Sequence, residues 1–295
     1  MKIDEIFLDL AGEQVLYAPN PGNAGDALIA AATCQLFKRY HIDYKEINLE
    51  HDVELTKNRI VIYGGGGNLV DYYHCAKTFI AQHHKTARRF IIFPHTILAH
   101  ADLLAVLGKN VDIICREQAS FDFVTRHSTK ANVYLADDIA LGLDVALLLE
   151  EAKVAYWPVF SSPKYVLKNA KRTVRVAVHR IKNKLSSKKL FAFRTDLEAI
   201  QHHISYSSID ASEVFCPWPF NIETSHEATY RMLKFLNQFE TIYTDRLHVC
   251  IAALLLKKNV HFYNNTYGKS EFVYEFSLKH RFQNITFHGS EQFHG

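Results

Sequence analysis

The chain has 295 residues, with 34 Lys and Arg against 31 Asp and Glu for a formal net charge of +3, 48% hydrophobic residues and 22% charged ones. That length suits one large domain or two of about 100–150 residues each, and the balance is ordinary for a globular protein. Disulfide miniproteins, collagens and coiled coils are excluded, and the dispersed basic residues give no nucleic-acid signature.

The first ten residues are acidic and lack the charged-then-apolar layout of a leader. The longest apolar runs, such as 249–256, fall far short of the about 20 residues a membrane span needs. A cytoplasmic protein is therefore expected, with no membrane span and with peripheral association left to a partner. Five cysteines (34, 75, 115, 216 and 250) are odd in number and form no C-x-x-C pair. They read as small core residues in a reducing compartment, not as a disulfide framework or a zinc knuckle.

In chain order, residues 14–17 are a short apolar strand that breaks into Pro19-Asn20-Pro21-Gly22-Asn23. A helix is predicted from Asp26, because Ala27, Leu28, Ala31, Leu36 and Phe37 have helical spacing. Residues 59–63 are a buried strand running into Gly64 to Gly67. Residues 90–93 are another, stopped by Pro94. Strands at 111–115 and 132–135 run into Arg116-Glu117 and Asp137-Asp138. Helical patterns at 73–84, 99–107 and 118–127 lie between them. Such alternation predicts βαβ units and a mostly parallel sheet, with near-continuous apolar strands because both faces are covered.

Residues 151–172 lose periodicity and hold Pro158, Ser161-Ser162-Pro163 and scattered lysines. The expected organisation is an N-terminal Rossmann-like domain over 1–150, a linker over 151–172, and a C-terminal Rossmann-like domain over 173–295. A strand at 174–178 opens the second series. A helix near 194–203, a strand at 213–216 ended by Pro217, a helix at 225–237, a strand at 241–243, a helix at 246–256 and a strand at 260–263 follow. The tail from Glu271 is expected to pack back as helix and extended chain.

Ligands of parallel α/β sheets bind at the carboxyl ends of strands, so the residues that follow each strand carry the chemistry. After the first comes Gly22-Asn23-Ala24-Gly25-Asp26, directly before a helix. Its backbone N–H groups suit an anion or a hydroxyl-rich ligand, while Asp26 reads equally well as a helix cap. After the second come four glycines and Asn68. The dinucleotide fingerprint fails there, because Leu69 fills the last glycine slot and residues 85–94 offer no acid for a ribose. His95, after Pro94, is a candidate proton donor or acceptor. Arg116 suits a carboxylate or phosphate, or else pairs with a neighbouring acid.

In the second half, Asp245-Arg246-Leu247-His248 opens an apolar helix. Cations in a first helical turn oppose the macrodipole, and a bound anion would relieve that conflict. Gly268-Lys269-Ser270 lacks the first glycine of a P-loop, which falls on Tyr263. The paired histidines lack i, i+4 spacing, and His226-Glu227 continues to Tyr230 and Arg231, so no catalytic metal is expected.

Taken together, Gly22-Asn23-x-Gly25-Asp26, Gly65-Gly66-Gly67-Asn68, Pro94-His95-Thr96, Arg116-Glu117-x-x-Ser120, Asp245-Arg246-Leu247-His248 and Asn265-x-Tyr267-Gly268-Lys269 occur in an order that resembles the polysaccharide pyruvyl transferase family. The resemblance spans about residues 14–280. It implies an α/β fold of two Rossmann-like domains facing each other in a GT-B-like arrangement. It further implies transfer of the pyruvyl group of phosphoenolpyruvate onto two hydroxyls of a sugar, giving a cyclic ketal on an exopolysaccharide, capsule or cell-wall polymer. No cofactor is implied, phosphoenolpyruvate being the donor substrate, and the partner is a glycan or lipid-linked saccharide acceptor.

Carried onto this chain, the resemblance gives phosphoenolpyruvate to Arg116, Arg246, Leu247, a protonated His248 and Lys269. It gives the acceptor and its loops to Asn23, Gly25, Gly66, Gly67 and Asn68, and acid–base chemistry to Asp26, His95 and His248. The main rival is a GT-B-like glycosyltransferase using a nucleotide sugar, which Gly-rich strand ends would serve equally well. A non-catalytic glycan-binding subunit is the second rival, and a retained cation cluster argues against it.

Overall fold

The computed structural model describes residues 3–155, 188–196, 199, 208–265 and 268–289. The chain divides into two compact units, one of Met1–Pro21 and Ile29–Leu143, the other of Gly22–Leu28 and Asp144–Gly295. Each is an α/β unit with a parallel sheet, a Rossmann-like build. Among the described residues no helix is long and apolar enough to cross a membrane.

The first unit runs α1 (Ile3–Asp9), β1 (Gln14–Ala18), α2 (Ala24–Arg39, of which the part from Ile29 belongs to this unit), β2 (Asp43–Glu46), α3 (Val53–Thr56), β3 (Ile60–Tyr63), β4 (Gly66–Leu69), α4 (Cys75–His83), β5 (Arg89–Ile97), α5 (Ala101–Val106), β6 (Val111–Cys115), α6 (Gln118–His127) and β7 (Asn132–Leu135). A 3-10 turn at Ile139–Gly142 follows. The strand order is β2-β1-β3-β5-β6-β7, with β4 beside β5. From β1 the chain steps out to β2, then returns to the other side for β3. The β1/β3 boundary is therefore the switch point where a doubly wound sheet opens a crevice. Every residue of β3 and β6 is buried, as strands covered on both faces must be.

One sequence expectation changes here. Pro94 does not stop its strand: β5 continues to Ile97. A proline has no N–H to donate, so it sits where the β5/β6 register slips between Ile92 and His95. The last two of the four glycines open a further strand, Gly66–Leu69, which pairs Gly66 with His95 and Leu69 with Ile97. Gly64 and Gly65 are the hinge before it. A Cβ on Gly64 would lie 2.7 Å from the Asn20 backbone nitrogen, and one on Gly65 2.8 Å from the Pro94 carbonyl oxygen. Backbone packs on backbone there, which only glycine allows.

The second unit runs α7 (Val145–Ala155), β8 (Lys189–Ala192), α8 (Ala211–Val214), α9 (Ile222–Leu236), β9 (Thr241–Thr244), α10 (Leu247–Leu255), β10 (Asn259–Phe262), α11 (Lys269–Val273), a π-helical turn at Tyr274–Leu278 and β11 (Ile285–Phe287). Its described strands are parallel in the order β11-β10-β9-β8. The expected linker at 151–172 falls on α7 as far as Ala155; its remainder and the strand expected at 174–178 lie outside the described residues. Of the helix expected at 194–203, Arg194, Thr195 and Asp196 are non-helical, and the rest lies almost wholly outside them.

The strand expected at 213–216 is instead α8, a single turn whose Asp210 cap accepts from the Glu213 N–H. Alternating apolar residues over so short a window do not distinguish strand from helix, and the cap decides. α9 follows its sequence closely. Asn221 and Thr224 form a reciprocal capping box, and Ala228, Met232 and Phe235 bury one face. Cys34, Cys115 and Cys250 are buried, Cys216 is half-buried and Cys75 is exposed. Burial raises the Cys34 thiol to about 12.

Candidate functional site

In the first unit the strand ends converge on Asn68 of β4. Its Nδ2 donates to Asn20 Oδ1 at 2.6 Å, and Tyr63 OH donates to the same oxygen at 2.6 Å. Asn20 follows β1 and Tyr63 ends β3, so this triad closes the switch point. The fixed amide turns its Oδ1 toward His95, whose Nε2 lies 2.9 Å away, while the Asn68 backbone N–H lies 3.2 Å from the same nitrogen. A protonated Nε2 donates to the amide oxygen, and an unprotonated one accepts from the backbone. Asn68 thus offers a partner to this imidazole nitrogen whether or not it carries a proton. His95 itself is fully buried.

Arg116, which follows β6, is also buried, at 1% exposure. Its Nη1 donates to Asp138 at 2.8 Å and its Nε to Thr96 Oγ1 at 2.9 Å, with Glu117 Oε2 at 3.7 Å. Glu117 accepts from Thr96 and Ser120, and Ser120 Oγ accepts from the Ile97 N–H at 2.7 Å. Burial raises the Glu117 pKa, against the opposing Arg116 charge. Two acids and one arginine therefore lock β5, β6 and the turn at Ile139 together. The structure makes Arg116 the centre of a closed ion cluster, not a solvent-facing cation.

In the second unit the organising residue is Arg246, the N-cap of α10 and 5% exposed. Asp210 takes its Nε at 3.1 Å and its Nη2 at 2.5 Å, a bidentate pair, while Asp196 lies 2.8 Å from Nη1. Burial alone would lower the Arg246 pKa, but the hydrogen bonds and charge of Asp210, then Asp196 and Asp245, together hold it above its ordinary value. Arg194, after β8, shares Asp196 through its Nε at 2.8 Å and donates its backbone N–H to Asp245 at 2.8 Å. The cation at this helix start is thus relieved by carboxylates of its own unit. Leu247 is buried and His248 is half-buried.

Residues 22–28 belong to this second unit. Asn23 caps α2: its Oδ1 accepts from the Gly25 N–H at 2.8 Å, while Asp26 accepts from the Asn23 N–H at 3.0 Å. The Asn23 side chain thus satisfies the second helical N–H, and Asp26 reaches back to the Asn23 N–H, fixing the turn that opens α2. Gly25 lies against His248, and a Cβ there would stand 2.5 Å from Nδ1 and 2.9 Å from the His248 Cβ. After β10, Asn264 accepts from the Asn265 N–H at 3.0 Å, and Gly268 adopts φ +80° before α11. Tyr267 and the side chain of Lys269 lie outside the described residues.

The structure brings Asn68 to His95, and Gly25 to His248. Gly66 and Gly67 lie in β4 beside β5. Sequence reasoning missed Asn20, Tyr63, Asp138, Arg194, Asp196 and Asp210. Asp138 carried a signal, since it lies three residues beyond the end of β7, while Asp210 was hidden because α8 was read as a strand. Among the described residues, no three His, Cys, Asp or Glu side chains group as metal ligands.

The family model for polysaccharide pyruvyl transferases matches residues 23–267. The chain belongs to that family. It is similar to EpsO of Bacillus subtilis (strain 168), assigned by name to the pyruvyl transferases, at 25% identity over 310 aligned positions that cover 90% of this chain and 86% of that one. It is also similar to the crystal structure of a functionally uncharacterized protein from Klebsiella pneumoniae subsp. pneumoniae NTUH-K2044. There the TM-score is 0.73 at 29% identity, over 97% of this chain and 95% of the other. Family membership makes the protein an enzyme of the pyruvyl transferase class with a glycan acceptor.

Proposed function

We propose that the enzyme moves the pyruvyl group of phosphoenolpyruvate onto two hydroxyls of one sugar, closing a cyclic ketal and releasing phosphate, in exopolysaccharide, capsule or cell-wall polymer synthesis. The observation that supports this most is the match to the family model over residues 23–267, and the N-terminus of α10, with Arg246 fixed in place by Asp210 and Asp196 and His248 half-buried two residues on, is where such a donor would bind. A donor carrying both a carboxylate and a phosphate needs fixed cations and helix N–H groups.

The chemistry balances without an oxidant or reductant. The methylene carbon takes a proton, the first hydroxyl adds to C2, and the bond from C2 to the phosphate oxygen breaks. The second hydroxyl then closes the ring. Of the two hydroxyl protons, one ends on the new methyl group and the other on phosphate. We assign the donor to Arg246, Leu247, His248 and Lys269, and the sugar hydroxyls to His95 backed by Asn68. Asp26, occupied by the Asn23 amide, holds the 22–26 turn under His248. Arg116 keeps the strand ends of the first unit in register.

The test is phosphate release from phosphoenolpyruvate with a panel of glycosides, with the ketal methyl group followed by NMR. Arg246→Lys keeps the charge beside Asp210 but loses the planar fork. It should raise the KM for phosphoenolpyruvate at least about tenfold, the equivalent of one lost charged contact. Unchanged KM and kcat would overturn the donor assignment. Turnover of UDP- or GDP-sugars instead would replace it with the glycosyltransferase reading.

A further inference from the structure

We propose that Tyr72 and Tyr73 form the stacking platform for a sugar ring of the acceptor, an inference that rests on the pyruvyl transfer reading above. Core packing is the default for aromatic residues in an α/β unit. These two depart from it. Tyr72 is 65% exposed, the highest value among the exposed large hydrophobic residues of the described chain, and Tyr73 is 42% exposed.

Their place in the fold gives the exposure meaning. The loop that carries them directly follows β4, so it lies at the carboxyl edge of the sheet, where Asn68 and His95 meet. Asn68 Nδ2 also reaches Cys75 Sγ at 3.4 Å, which ties the far end of the loop to the same amide. The third exposed aromatic of this unit, Tyr44, lies on the edge strand β2 and packs on Phe37 with ring centroids 5.1 Å apart. Tyr72 and Tyr73 are the pair that combines exposure with the strand ends.

The backbone beneath them is braced. Tyr73 N–H donates to the Val70 carbonyl at 3.1 Å, and the Tyr73 carbonyl lies 3.3 Å from His100 Nε2. His100 adopts φ +65°, a conformation costly for a residue with a Cβ, and it caps α5. Lys77 bridges α4 to α5 through Asp102 at 2.7 Å. An aromatic side chain offered to solvent from a fixed backbone loses little entropy on contact and combines an apolar face with a polar tip. A pyranose ring has the matching form, with axial C–H groups on one face and hydroxyls around its rim. Asp71 and His74, both exposed in the same loop, supply polar groups at that rim.

The test uses Cys75 as a reporter, because it is exposed at the end of the loop while Cys34, Cys115 and Cys250 are buried. In a Cys216→Ser background, the rate of thiol labelling is measured with methyl glycosides of galactose, glucose, mannose and N-acetylmannosamine at high millimolar concentration. At least one glycoside should slow labelling severalfold and show saturation-transfer NMR contacts to protein tyrosines. Tyr72→Ala with Tyr73→Ala should weaken both effects about tenfold, with the melting temperature unchanged. Tyr→Phe at both positions should keep them, since the ring face does the work.

Loss of nothing in the double alanine variant overturns the platform, and so does a wild-type protein that no glycoside protects. Failure of the reaction reading is separable. Glycoside protection through the tyrosines without any phosphate release from phosphoenolpyruvate would leave the platform and remove the ketal chemistry. Phosphate release with an acceptor KM insensitive to both tyrosines would do the reverse.

Discussion

Asp210→Ala is the sharpest test of how the second unit holds its cation. Asp210 is 6% exposed and Arg246 5%. The substitution removes both oxygens of the bidentate pair, at 3.1 and 2.5 Å, and the acceptor for the Thr195 N–H at 3.0 Å. It also removes the cap on the Glu213 N–H. Deleting one partner of a buried ion pair costs about 3–5 kcal/mol, because the other charge is left without compensation. Asp196 stays 2.8 Å from Nη1, which places the pair at the lower end of that range. A lost N-cap adds about 1 kcal/mol, so about 3–4 kcal/mol is expected.

The assay is guanidinium unfolding of the full chain followed by tryptophan fluorescence. Both tryptophans, at positions 157 and 218, fall in the second unit, so the signal reports that unit. Adding Arg246→Met to Asp210→Ala should recover part of the loss, since an apolar side chain needs no counter-charge. A loss below about 1 kcal/mol, or a double variant less stable than the single one, would show that the pair is solvated in the native state and would refute the reasoning.

Gly25→Ala places a Cβ 2.5 Å from the His248 Nδ1 and 2.9 Å from its Cβ, an atom fixed by α10. About 1–3 kcal/mol of destabilisation is expected from such overpacking, measured by the same unfolding curve. A neutral substitution would mean that His248 moves freely. Stability should also fall in acid. His83, His84, His226 and His261 have pKa values lowered from 6.5, in each case chiefly by burial. The unfolded chain then binds more protons below about pH 6.5, so stability is present above that pH and is lost progressively as the pH falls toward the folded pKa values. A melting temperature flat from neutral pH to well below 6 would contradict this, and His83→Gln should shallow the slope.

The elements most legible in the sequence were those whose signal is local. β3, β6, β7 and α6 lie within a residue of where apolar runs and helical spacing place them. The turn that precedes α2 is written in consecutive residues, and so is the order of strand-end motifs that marks the family. The edge strand β2 was missed because Asp43–Glu46 is polar and largely exposed, leaving no apolar pattern to read.

Tertiary structure decided what each charged residue does. In sequence Arg116 suits an anionic ligand or a neighbouring acid equally; the structure closes it off with Asp138, 22 residues away, and holds Arg246 with Asp210, 36 residues away. Nothing periodic links such positions; the parallel crossovers bring them together after the strands have registered. The glycines at 64 and 65 likewise advertise a close approach without naming Asn20 and Pro94 as its partners. Tyr72 and Tyr73 look like core residues until the sheet places their loop at its carboxyl edge, in solvent. Local chemistry thus determined the elements and the inventory of reactive groups. Burial and partner choice came from packing, because a charge or an aromatic ring acquires its role from residues the chain brings to it from far along its length.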